Sequence, residues 1–415
     1  MPQSRRARRN RFARGVLLAC VLVVASGCYE QPEPTIPSAP SMGAAPIVFT
    51  YPAIDQPVLD RRGEIVSQLP FVNLEPTLAD QVGDAVRATY ASTSAIRGAT
   101  TNVTGSFFIP RGSPPEGGWP VVSWAHGTTG ISHGCAPSEM ADLRGDASIV
   151  AALLSQGYAV AMTDYEGLSG EGVHDYLEPR ASAYNVIDAV RALRHVFPAA
   201  SPKWIAIGSS QGGQAAWAAD EVNSTYGVGL QMVGAIALSP VTNIYGFADE
   251  AMAGTLSDAQ RAVYPLIVLG LARYDSTIDP EHYLRDDAKE AGERLSNCQL
   301  NSGQSARPKV DSKDLRPDSV QAAETLKDAL RRIALPQAPL SVPMLVINGQ
   351  QDDFVPPGWV SAAILRSCQL GGHIEHVEMK GATHSNLGDL ASTIGDWVHG
   401  RLTDQEAPVN CPAGS

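Results

Sequence analysis

The sequence predicts an α/β fold, a mostly parallel sheet with helices on both faces and a helical insertion between two late strands. Three observations predict it. Short, wholly apolar runs recur along the chain, of the kind that forms strands buried on both faces. Amphipathic stretches of helical period separate them. From about residue 241 to 340 this rhythm gives way to a charge-rich, helix-patterned segment, after which the strand runs resume. The 415 residues exceed one average domain, and 44% hydrophobic with 18% charged residues suits a globular chain with a sizeable core. No period of roughly 20 to 50 residues recurs, which argues against a solenoid or propeller.

Residues 1–27 read as a signal peptide. Arg5, Arg6, Arg8, Arg9, Arg11 and Arg14 form a basic head, an apolar run extends from Gly15 to Ala25, and the small residues Ser26 and Gly27 follow. The run is shorter than the roughly 20 apolar residues of a membrane-spanning helix. Ala25-Ser-Gly-Cys28 resembles the lipobox of bacterial lipoproteins, with Ala25 in place of the usual leucine. That resemblance implies that Cys28 is lipidated and becomes the mature N-terminus. The expectation is an exported protein, anchored at a cell surface or membrane through Cys28, or otherwise secreted or periplasmic. Losing six arginines and no acid takes the net charge from −12 to about −18. Such an anionic surface excludes nucleic acid as a partner and leaves a lipid on Cys28 as the membrane contact.

With Cys20 removed and Cys28 lipidated, Cys135, Cys298, Cys368 and Cys411 remain. An even number in an exported chain predicts two disulfides, with three pairings open. Their spacing is wrong for zinc. A metal site built from His126, His133 and Cys135 is the weaker alternative, so no metal is expected.

Residues 28–70 read as a tether and N-terminal extension, rich in Pro, Ser and Ala as far as about residue 50. The first part of the core is placed at 71–240. Val103–Pro110 alternates like an antiparallel strand, and Pro120–Ala125, Ala159–Thr163, Trp204–Ile207 and Val233–Leu238 are buried-strand runs. Between them, Val186, Ile187, Val190, Leu193 and Val196 mark a helix over 183–197. Residues 241–340 are expected to form a helical cap, with an apolar piece at Tyr264–Leu271. The second part of the core is placed at 341–411, with strands at Met344–Ile347 and Ile374–Val377 and a last helix from about Leu387 to Leu402.

Gly208-Ser-Ser-Gln-Gly212 matches G-x-S-x-G between a strand run and a helix-like stretch. That setting is a nucleophile elbow, and the glycine spacing selects Ser210 rather than Ser209. A serine hydroxyl needs a base, and His384, in Lys380-Gly-Ala-Thr-His384 after the last strand, is the histidine in the right setting. The imidazole needs an acid, and Gly349-Gln-Gln-Asp-Asp-Phe-Val-Pro356 supplies Asp352 or Asp353. The G-x-x-D-x-x-V-P arrangement common in hydrolases of this order, Ser then Asp then His, selects Asp352. The backbone N–H of Gln211 and that of Thr128, in Trp124-Ala-His-Gly-Thr-Thr-Gly130, are the expected oxyanion donors. His126 is read as a residue that braces this loop.

From about residue 70 to 411 the chain resembles the secretory lipase family of α/β-hydrolases. Ser123-Trp-Ala-His-Gly-Thr-Thr-Gly130 followed by Cys135-Ala-Pro-Ser138 carries the resemblance. So do Thr163-Asp-Tyr-Glu-Gly-Leu168 with Gly172-Val-His-Asp-Tyr176, and Ser210-Gln-Gly-Gly213. The resemblance implies the α/β-hydrolase fold, hydrolysis of a small ester or lipid, no cofactor, and a cap that shapes the acyl pocket. It also implies Cys135–Cys298 and Cys368–Cys411 disulfides. Two other functions compete. A serine peptidase acting on small peptides would need a charged group to hold a chain terminus, and the sequence places none. A non-catalytic surface-binding module would not need Ser210, Asp352 and His384 together.

Overall fold

The computed structural model describes residues 50–298 and 309–411. The expected signal peptide, Cys28 and the tether up to residue 49 lie outside the described residues. The chain enters through a short helix α1 (Gln56–Asp60) and strand β1 (Ile65–Pro70), then α2 (Pro76–Ala79), β2 (Val82–Ser94) and β3 (Ala99–Pro110). Strand–helix alternation follows as β4 (Trp119–Ala125), α3 (Ala147–Ser155), β5 (Ala159–Thr163), α4 (Pro179–Val196), β6 (Ala200–Ser209), α5 (Gln211–Tyr226) and β7 (Gln231–Leu238). Helices α6 (Gly246–Ala253), α7 (Asp258–Leu271), α8 (Asp286–Ser296) and α9 (Val320–Arg332) intervene before β8 (Met344–Gly349), α10 (Pro357–Gln369), β9 (Ile374–Met379) and α11 (Ala391–Leu402).

Among the described residues the strands form one sheet of order β1-β2-β3-β5-β4-β6-β7-β8-β9. The first three strands and the β3–β5 pair are antiparallel, and every pairing from β5 through β4 to β9 is parallel. Residues along β6 alternate between two cores. Trp204 and Ala206 join the cluster under α4, α5 and α10, while Ile205 and Ile207 join the one under α3 and α11. Both faces are therefore dry, which is why the central strands read as unbroken apolar runs. The indoles of Trp204 and Trp217 are fully buried, and a side chain of that size contributes about 2–3 kcal/mol through burial.

Strands β1 and β2 escaped the sequence reading, and β1 lies inside the stretch assigned to an N-terminal extension. Edge strand β1 leaves Val66 and Leu69 exposed, so no buried face marks it. Strand β2 meets α4 through polar bonds at its end as well as through Ala88 and Tyr90, which share the core cluster of α4. Ser92 donates to the buried Asp188 at 2.8 Å, and Tyr226 donates to the same carboxylate at 2.6 Å. Among the described residues between β7 and β8, α6 packs with α9 and α7 with α8. Helix α7 starts at a capping box in which Ser257 and Gln260 satisfy each other's backbone N–H. Cys135 is joined to Cys298 and Cys368 to Cys411.

Candidate active site

Strand β6 ends at Ser209 and α5 begins at Gln211, so a single residue makes the turn. That residue, Ser210, has φ 57° and ψ −115°, a left-handed conformation costly for a side chain with a Cβ. The turn is held on both sides. The N–H of Ser210 donates to the carbonyl of Leu238 at 2.9 Å, and its own carbonyl accepts from Val241 at 3.2 Å. Glycine is required beside it for space. A Cβ on Gly212 would stand 1.9 Å from the Ala125 carbonyl oxygen, and one on Gly208 would stand 2.2 Å from that of Gly212.

His384 follows β9 and Asp352 follows β8. Ser210 Oγ lies 2.9 Å from Nε2 of His384, and Nδ1 of His384 lies 2.7 Å from Oδ2 of Asp352. An ionised carboxylate only accepts, so Nδ1 carries the proton and Nε2 is left to accept from the serine. The other oxygen of Asp352 accepts from the N–H groups of Phe354 at 3.0 Å and Val355 at 2.8 Å. Both oxygens of Asp352 are thereby engaged, which fixes the carboxyl group in a buried place. The ring of Phe354 stands edge-on to His384 at 4.7 Å.

The neighbouring Asp353 takes no part. Its carbonyl accepts from Ser257 at 2.6 Å, and the residue lines a separate cavity beside Asp258 and Arg261. His133 is exposed and Cys135 is committed to a disulfide, so His126, His133 and Cys135 make no ligand set. His126 is buried, with Nδ1 2.6 Å from the carbonyl of Gly127 and burial pushing its pKa down to about 4. Among the described residues no group of three or more His, Cys, Asp or Glu side chains is arranged to hold a metal.

Ser210 and His384 open into a cavity of about 380 Å³. Thr128 lines it, and Gln211 stands beside Ser210 as the first residue of α5, where its N–H has no intrahelical acceptor. Other walls were not legible beforehand. Val263 arrives from α7, while Arg144 and Asp146 arrive from the segment before α3. Arg144 donates to the carbonyl of Gly134. Burial raises Asp146 to about 6 even though Trp124 donates to it at 3.0 Å. Nothing in their local sequence marks these two residues, whereas Phe354 lies two residues beyond Asp352 within the acid-bearing motif.

Residues 136–409 match the sequence profile of the secretory lipase family. The chain belongs to the secretory lipase family. Over 134 residues it is 30% identical to Lipase 7 of Candida albicans, which is 30% of each chain. Over 265 residues it is 26% identical to a probable trichothecene esterase of Stachybotrys chartarum, covering 58% of this chain and 52% of that one. It thus spans about half or less of the curated relatives it matches. Among solved structures, the closed state of Candida antarctica lipase A superposes with TM-score 0.68 at 15% identity, covering 87% of this chain and 86% of that one. A rice cell wall degrading esterase from Xanthomonas oryzae superposes with TM-score 0.64 at 21% identity, covering 83% of this chain and all of that one. Both share the α/β-hydrolase fold with this secretory lipase family chain.

Proposed function

We propose that this secretory lipase family member hydrolyses carboxylic esters through an acyl-enzyme on Ser210. The observation that carries the reading is the unbroken hydrogen-bond chain from Ser210 through His384 to Asp352, opening into a cavity. Nε2 of His384 takes the hydroxyl proton as Oγ attacks the ester carbonyl, and Asp352 stabilises the imidazolium that forms. The N–H groups of Gln211 and Thr128 receive the oxyanion, the first of them aided by the positive end of α5. His384 then returns the proton to the leaving alcohol. Water repeats the steps and releases the acid.

Residues 71–240 and 341–411, with edge strand β1 ahead of them, form the hydrolase core in this reading, and helices α6 to α9 between them form the cap. Val263 of α7 brings that segment to the cavity wall. A cavity of about 380 Å³ lies toward the small end of the range for ligand sites, about 300–1,000 Å³, which favours a compact acyl group. Membership of a secretory family and two disulfides support an exported protein. Removal of the signal peptide and lipidation of Cys28 complete the proposal, making that lipid the membrane contact.

The test is release of p-nitrophenol from esters of increasing acyl length by the mature protein and by Ser210→Ala. Turnover is expected to peak at short chains and to fall by about 10⁵-fold or more in the variant. A folded wild-type protein that turns over no ester would sink the proposal. One observation favours a second reading, cleavage of small peptides, because Arg144 and Asp146 put opposite charges in the same cavity. Release of p-nitroaniline from aminoacyl anilides at a rate above that from esters would decide for it.

A further inference from the structure

The motif Gly172-Val-His-Asp-Tyr176 carries part of the family resemblance yet takes no part in the Ser210 chemistry. Its His174 and Tyr176 are buried, and each touches the side chain of one oxyanion donor. Nδ1 of His174 lies 3.0 Å from the carbonyl oxygen of Glu166, so that nitrogen carries the proton. Nε2 is left as an acceptor and takes a hydrogen bond from the Gln211 side-chain amide at 3.1 Å. Burial lowers the His174 pKa to about 3, which keeps the ring neutral and the acceptor available. Two residues along, the hydroxyls of Tyr176 and Thr128 are bonded at 2.8 Å.

The loop is itself braced. The rings of His126, Tyr165, His174 and Tyr176 form a column with successive centroids 4.4, 5.9 and 5.9 Å apart. Tyr165 donates to the carbonyl of His126 at 3.1 Å, which ties the column to the Thr128 loop. From the other side α7 presses on Tyr176. A Cβ on Gly270 would stand 2.6 Å from the ring, and Tyr274 donates to the Tyr176 carbonyl at 3.1 Å.

We propose that His174 and Tyr176 are positioning residues that hold the N–H groups of Gln211 and Thr128 in one fixed spacing, joining two loops into a single oxyanion site. The inference rests on the ester-hydrolase reading. The two donors follow the neighbouring strands β6 and β4, whose register sets Ala125 opposite Gly208, and beyond those strand ends it is His174 and Tyr176 that hold the side chains of Gln211 and Thr128. A developing oxyanion is stabilised fully when both donors already point at it, because no reorganisation is then needed during reaction. A brace of this kind acts on the transition state and leaves substrate binding nearly untouched.

The test uses Tyr176→Phe and Gln211→Leu in the full mature chain, with thermal unfolding as the check on folding. Gln211→Leu deletes the contact with His174 but keeps the backbone N–H. With p-nitrophenyl butyrate, kcat is expected to fall about 10- to 100-fold in each variant while KM stays within about twofold. Inhibition by an alkylboronic acid, which adds to Oγ as a tetrahedral anion, should weaken by the same factor as kcat. A rise in KM alone, or unchanged kcat and inhibition, overturns the inference. Should Gln211→Leu fail to fold, Tyr176→Phe, lacking one hydroxyl, decides by itself. Variants as active as an active wild type defeat this inference alone, whereas a wild type inactive on every ester defeats the underlying reading and this inference with it.

Discussion

At the scale of single residues the site separates two adjacent carboxylates by their partners. Asp352 accepts from His384, Phe354 and Val355, whereas Asp353 faces another cavity. Asp352→Asn presents an amide to Nδ1 and favours the wrong imidazole tautomer, so kcat on p-nitrophenyl butyrate should fall by about 10⁴-fold in a folded protein. Asp353→Asn should stay within about twofold of wild type, since it removes no contact to the imidazole. Equal losses in the two variants would mean that the acid has been misassigned. The choice of Asp352 was already legible from G-x-x-D-x-x-V-P. Asp146 was not, because its place in the cavity depends on how the segment before α3 folds back beside Trp124.

At the scale of elements, α5 does two jobs. Its first turn packs against β4 so closely that Gly212 has no room for a methyl group, with the Ala125 carbonyl 1.9 Å from a Cβ. Gly212→Ala should therefore yield little folded protein, measured as soluble expression and circular dichroism, whereas a well-folded variant would show that the elbow can relax. Its last turns carry Asp220 and Glu221, which accept from the backbone at 337–342 and so fix the approach to β8. Burial raises Glu221 to about 8 and Asp220 to about 7. The folded state thus holds these protons more tightly than the unfolded chain. The stability they contribute is complete below the unfolded values and is lost as pH rises through about 7 to 8. Glu221→Gln keeps an oxygen for both N–H groups but has no proton to lose. Its Tm should fall less than that of wild type between about pH 5 and pH 9, and parallel curves would refute the assignment.

At the scale of the molecule, the two disulfides join parts far apart in sequence. Cys135–Cys298 spans 163 residues and fastens the end of α8 to the loop after β4, where Ile131 and Ser132 also donate to the Ser296 carbonyl. Cys368–Cys411 spans 43 residues and fastens the chain beyond α11 to α10. Closing a loop of that length restricts the unfolded chain and contributes about 2–4 kcal/mol. Replacing Cys368 and Cys411 by alanine should lower Tm by several degrees with little effect on kcat, because the bond lies away from the Ser210 cavity. A large loss of kcat at 25 °C would show that this staple also shapes the site.

The sequence by itself determined the alternation of buried strands and helices and the tight turn at Ser210. Local rules suffice there: a strand buried on both faces must be apolar along its length, and a strained turn packed against backbone must be flanked by glycine. Tertiary structure decided the rest. Strand β2 is held by its pairing with β1 and β3, and Asp188 of α4 and Tyr226 of α5 satisfy its buried Ser92 and Thr93, a partnership between segments about a hundred residues apart that no local period records. Likewise the cavity walls at Arg144, Asp146 and Val263, and the contacts of His174 with Gln211 and of Tyr176 with Thr128, arise where separate loops converge. A pattern along one chain reports which face of an element is buried; it carries no record of what is packed against that face.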